Sequence, residues 1–156
     1  VLILFGGGLS LAGAIQESGL AEWLGSAFHQ LGDWPLLGLM LLSVGLIILL
    51  TELTSNTATA AAFLPILASV SVGIGENPLT LMIPATLAAS CAFMLPVASP
   101  PNAIVYGSGR VTIPQMAKAG AYLNLAFAVV ITALMYLLLP VAFGVDYGIV
   151  PDWASR

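Results

Sequence analysis

Two short stretches set polar side chains between strongly apolar runs: "TELTSNTATAAAFLPI" at residues 51–66 and "PVASPPNAIVYGSGR" at residues 96–110. The first offers five hydroxyl groups on Thr51, Thr54, Ser55, Thr57 and Thr59, the amide of Asn56 and the carboxylate of Glu52. The second is broken by Pro96, Pro100, Pro101, Gly107 and Gly109 around Asn102. Threonine and asparagine oxygens, together with backbone carbonyls freed where a helix stops, suit a hard cation, which takes oxygen ligands. Backbone amides at the start of a helix, near Asn56 and Thr57, favour an anion such as a carboxylate. Helices interrupted at membrane depth that present both kinds of group are how secondary transporters build their sites.

Other chemistries fit less well. The "YGSG" around Ser108 suggests a serine hydrolase, but a nucleophilic serine needs a general base, and His29, the only histidine, stands in a different segment. Cys91 is alone and can form neither an internal disulfide nor a cysteine metal site. Gly6, Gly7 and Gly8 have no basic residue beside them for a phosphate and read as a close-packing surface. Serine and threonine often bond back to their own helix, which accounts for single hydroxyls but not for a cluster with Glu52 and Asn56 beside a proline-broken segment. A purely structural membrane module leaves both polar breaks unexplained. An ionisable residue at membrane depth is a functional candidate, so Glu52 either shapes the tip of the first stretch or takes part in ion or proton coupling.

The elements that must position these groups follow from composition. Of 156 residues, 60% are hydrophobic and 6% charged, against about 25% charged in soluble domains. Residues 34–51, 53–75, 77–109 and 119–145 contain no Asp, Glu, Lys or Arg, and about 20 apolar residues cross a bilayer as a helix. The chain therefore reads as an all-α, polytopic membrane protein. A net charge of −4 excludes nucleic acid as a partner. Apolar runs recurring along the whole length are not a signal peptide, and a start at Val1 reads as a piece that begins inside a longer protein.

Residues 1–19 read as a transmembrane helix and residues 20–31 as an interfacial one. In the latter, Leu20, Trp23, Leu24, Ala27, Phe28 and Leu31 recur at helical spacing, with Glu22, Ser26, His29 and Gln30 on the other side. Residues 36–74 read as a hairpin around the first polar stretch, 78–118 as a broken helix and 120–143 as the last crossing. Arg110 and Lys118 lie together between the last two. By the positive-inside tendency that connection is cytoplasmic and the carboxyl tail external.

"SNTAT" at residues 55–59 and "ASCAFMLPVASPPNAIVYGSG" at residues 89–109, in which Ser90, Phe93, Pro96, Asn102 and Val105 keep the signature spacing, resemble the carboxyl-half motifs of the divalent anion:sodium symporters. These are sodium-coupled carriers of dicarboxylates, citrate or sulfate, and the resemblance is greatest to the bacterial dicarboxylate carriers. It implies one half of an inverted-repeat fold with a re-entrant hairpin and a broken transmembrane helix, working as a homodimer by an elevator-like movement in the cytoplasmic membrane. It implies that Ser55, Asn56 and Thr57 face the substrate carboxylate and that Ser99 and Pro100 line the pocket. It also implies that the carbonyls of Thr51, Thr54 and Ala98 and the side chain of Asn56 hold Na⁺. The amino half of that fold, with its own tip and sodium site, is not in this sequence, so the chain is expected to hold half a binding site and not to transport alone. Succinate, fumarate and malate lead as substrates. The competing expectation is a proton-coupled or exchanging anion carrier, for citrate, sulfate or another anion, with Glu52 as the proton site.

Overall fold

The computed structural model describes residues 34–154 continuously, together with positions 6, 7, 10, 14, 17–19 and 23. Positions 6, 7, 10, 14, 17 and 23 are helical; the rest of the expected first helix (1–19) and of the interfacial arm (20–31), His29 included, lies outside the described residues. Among the described residues there are five further helices and no strand: α1 (Leu36–Thr51), α2 (Asn56–Gly73), α3 (Leu79–Ala88), α4 (Pro100–Gly107) and α5 (Ile113–Phe143).

Helix α1 starts where Pro35 sets an extended conformation, and the Pro35 carbonyl takes the amides of Gly38 and Leu39. It is apolar all round. Met40, Val44, Ile47, Ile48 and Thr51 are buried at helical spacing, whereas Leu37, Leu41, Leu42, Leu46 and Leu49 are exposed, as on a helix bounded by lipid. A four-residue turn, 52–55, leads to α2, whose first turn is capped by Ser55 accepting from the Ala58 amide at 3.2 Å. Within α2, Pro65 withdraws one backbone donor, and the hydroxyls of Ser69 and Ser71 bond back to Pro65 O and Leu67 O.

Helix α3 sits at the centre, packing on α1, α2 and α5, while α1 also packs on α2 and α5. Its small side chains, Ala85 and Ala88, let Val44, Ile47 and Ile48 of α1 and Ala128, Ile131 and Met135 of α5 close into one buried cluster. Between apolar helices in lipid, such close packing and interhelical hydrogen bonds supply the association energy that water supplies elsewhere. By length and composition α2 and α5 are long and apolar enough to cross a membrane, and α1 and α3 are shorter apolar helices.

The last helix differs from the boundary expected. It begins at Ile113, so residues 113–119 extend it, and the helix after the break ends at Gly107. The reason is local: Thr112 and Gln115 form a capping box, with the Thr112 amide donating to Gln115 Oε1 at 3.0 Å, and Pro114 occupies the first turn. Gly120, which resembled a helix start, lies inside α5. A Cβ there would come within 2.3 Å of Phe93 O and 2.5 Å of Met94 Cα, so glycine is what allows α5 to lie against the backbone of residues 93–94. At its other end α5 stops at Gly144, in the left-handed conformation. The tail then folds back: Tyr147 stacks on Tyr136, its hydroxyl donates to Tyr136 O at 2.7 Å, and the Gly148 amide donates to Glu76 at 2.9 Å. Burial, with the charges of Tyr136 and Glu76, pushes the Tyr147 phenol above the usual tyrosine range.

Gly120→Ala is expected to lower stability by about 1–3 kcal/mol, the usual range for overpacking. Gly45→Ala in α1, where a Cβ meets nothing within 4 Å, is expected to be neutral or slightly stabilising. Thermal unfolding of the two variants in detergent checks this.

Candidate functional site

The site is built around the place where α3 stops. After Ala88 the chain makes one more turn, with Ser90 and Cys91 amides bonded to Leu87 O and Ala88 O, and then runs irregularly to Ser99. At such a break, backbone groups lose their helical partners, and in an apolar surrounding each must find another. The amides of Phe93, Met94 and Leu95 find Glu52. Phe93 and Met94 donate to Oε1 at 2.8 and 2.9 Å, Leu95 donates to Oε2 at 3.0 Å, and Asn124 Nδ2 of α5 adds a fourth bond to Oε1 at 2.7 Å. Only 4% of Glu52 is exposed. The carbonyls of the same loop are served from the other side, where Asn102 Nδ2, buried in α4, donates to Ala92 O at 2.8 Å and Leu95 O at 3.0 Å.

A second tie lies one residue earlier. Thr51 Oγ1 stands 2.7 Å from Asn56 Oδ1 and 2.8 Å from Ala89 O. One hydroxyl proton cannot serve both acceptors. With the Asn56 amide turned over, Nδ2 donates to Thr51, Thr51 donates to Ala89 O, and Oδ1 points the opposite way. Thr54 Oγ1 donates to Leu50 O at 2.9 Å and shares a hydrogen bond with the Thr59 hydroxyl.

These ties bring the two polar stretches together. Ser55, Asn56 and Thr57 form one side of a cleft of about 520 Å³, and Pro96, Val97, Ala98, Ser99, Pro100 and Ala103 form the other. The amino ends of α2 and α4 thus both open on it. Ser99 precedes α4 in an extended conformation and its hydroxyl makes no cap bond. Among the residues expected at a site, Ser55, Asn56, Thr57, Ala98, Ser99 and Pro100 line this cleft, whereas Thr51, Glu52 and Thr54 do not: Thr51 is buried, Thr54 is exposed in the turn, and Glu52 is bonded to the helix break. Among the described residues, no Lys or Arg lines the cleft.

Three residues essential to this geometry went unassigned on sequence reasoning: Asn124 and Gly120, which bring α5 to the break, and Asn102, quoted for its spacing but given no role. Asn124 had a signal, being the only asparagine in the charge-free run 119–145, and a polar side chain there needs a partner.

An all-helical apolar chain whose interrupted helices present their amino ends to one cleft has the construction of a secondary transporter. The chain belongs to the sodium:sulfate symporter transmembrane family, whose pattern its residues 1–145 match. It is 52% identical over 147 residues, 94% of its length, to the sodium-dependent dicarboxylate transporter SdcS of Staphylococcus saprophyticus, and 52% identical over 146 residues to that of Staphylococcus aureus strain MRSA252. It spans 28% of the length of these relatives. The family is one of membrane transporters, not enzymes, and sodium is the coupling ion its description carries.

Asn102→Ala leaves Ala92 O and Leu95 O without their side-chain donor. It is expected to destabilise the protein by about 1–3 kcal/mol, the cost of an unpaired buried group, whereas Val97→Ala, at a residue 78% exposed, is expected to change little. Thermal unfolding of the pair in detergent distinguishes them.

Proposed function

We propose that this chain forms one half of the binding site of a sodium-coupled dicarboxylate symporter, a multi-pass protein of the cytoplasmic membrane. The other half comes from a second, inverted repeat of the same protein, which assembles as a homodimer and works by an elevator-type movement. The names of the relatives support sodium and a dicarboxylate. The observation that carries the reading is the cleft itself, where the amino ends of α2 and α4 converge on a space without Lys or Arg. Each helix end contributes about half a positive charge, too little to balance a dianion. Bound Na⁺ must supply the rest.

In this mechanism Na⁺ binds first, to the carbonyls of Thr51, Thr54 and Ala98 and to Asn56 Oδ1. The exchange of hydrogen bonds open to Thr51 and Asn56 is what turns that oxygen toward the cation. The filled cation site then fixes Asn56 between cation and anion, and Ser55, Thr57 and Ser99 offer hydroxyl donors to one substrate carboxylate, with Pro100 shaping the wall beside it. Succinate, fumarate and malate are short dianions that suit two half-sites facing each other. The segment 36–74 acts as a re-entrant hairpin, its tip at mid-membrane.

The test is uptake of labelled succinate by proteoliposomes holding the full-length transporter that contains this chain. Uptake is expected with an inward Na⁺ gradient and not with K⁺ in its place; uptake driven by a proton gradient and indifferent to Na⁺ would overturn the reading. Asn56→Ala is expected to weaken Na⁺ and succinate together, by about tenfold each for a lost hydrogen bond to a charged group. Loss of succinate affinity alone, with Na⁺ binding intact, would refute the shared role.

A further inference from the structure

Glu52 is the single carboxylate of the two polar stretches, yet it does not line the cleft. Each of its contacts is a donor: three backbone amides of residues 93–95 and the side-chain amide of Asn124. We propose that Glu52 and Asn124 are a pair of positioning residues that hold the two walls of the cleft, residues 55–57 and 96–100, at a fixed separation. The functional consequence rests on the transport reading above.

The argument is one of leverage along the chain. Glu52 lies three residues before Ser55, and the amides it holds end one residue before Pro96, so the clasp sits at the root of both walls. Asn124 fixes the clasp to α5, the longest helix, at a point four residues beyond Gly120, whose missing side chain lets α5 touch residues 93–94. Asn124 is 6% exposed and its Oδ1 has no hydrogen-bond partner among the described residues. A buried amide held by one side only is oriented by that contact, so its role is donation to Glu52. The surroundings contain little else that is charged or titrates. Helices α1 and α3 carry no such side chain. Those of α5, Lys118, Tyr122 and Tyr136, are exposed, and Cys91 of the loop donates to Leu87 O.

The experiment uses the full-length transporter in detergent, with nitroxides on Leu53→Cys and Val97→Cys, both exposed, in a cysteine-free background. Dipolar spectroscopy without ligand measures the spread of distances between the walls; Na⁺ and succinate affinities are measured on the unlabelled variants. Asn124→Ala keeps three of the four bonds to Glu52. It is expected to fold, to broaden the distances, and to weaken both ligands by about tenfold. Asn124→Asp replaces the amide donor with an acceptor, and it is expected to broaden the distances and weaken both ligands at least as much as Asn124→Ala. Glu52→Gln, which exchanges one acceptor oxygen for a donor, is expected to broaden the distances as well. Parental distances and affinities in Asn124→Ala or in Asn124→Asp, or parental distances in Glu52→Gln, would each overturn the proposal. A parent that binds no succinate, but whose wall distances respond to Asn124→Ala as described, would refute the transport reading and leave the clasp standing.

Discussion

The structure depends on how one carboxylate answers three backbone amides. A chain that leaves a helix in an apolar setting leaves the amides of the following loop unpaired, at a cost of several kcal/mol each when no water can reach them. Glu52 supplies two acceptor oxygens to Phe93, Met94 and Leu95, and charge-assisted bonds of this kind are stronger than those between neutral groups. Pro96 keeps the helix from continuing through this segment, and Glu52 satisfies the amides that the interruption leaves.

The clasp also explains the arrangement of its neighbours. Amides of the broken loop are held by Glu52, just past the end of α1, which Asn124 of α5 braces, and carbonyls are held from α4, through Asn102. The loop is thus tied on both sides although little of it is regular. Gly120 and Asn124 lie about one helical turn apart on the same face of α5; the first permits the approach that the second uses. Helix α4, by contrast, buries only Asn102, and its apolar Ile104 and Val105 are exposed. An exposed helix is in keeping with a cleft that another part of the transporter completes.

Much of the architecture was legible in the residues because its causes are local. Charge-free runs and the proline-rich segment marked the helices and the interruption, and the capping residue Ser55 lay within the polar stretch already singled out. The misjudged start of the last helix was also a local matter: Thr112 and Gln115 formed a readable capping box, but Gly120 offered a competing signal. Its real function depends on Phe93 and Met94, far away in the chain. The same is true of Asn124, 72 positions from the carboxylate it serves.

By itself the sequence determined that this is a helical membrane protein with two polar interruptions of transporter type, since hydropathy, proline placement and helix capping act between residues close in the chain. It also determined which hydroxyls and amides were available for ligands. Only the tertiary structure decided that the two interruptions share one cleft, that Glu52 belongs to the helix break and not to the cleft's lining, and that α5 contributes through Asn124. The physical reason is that hydrogen-bond satisfaction in a dry interior is settled between partners brought together by packing. Sequence shows that Glu52 must find donors; the fold alone says which.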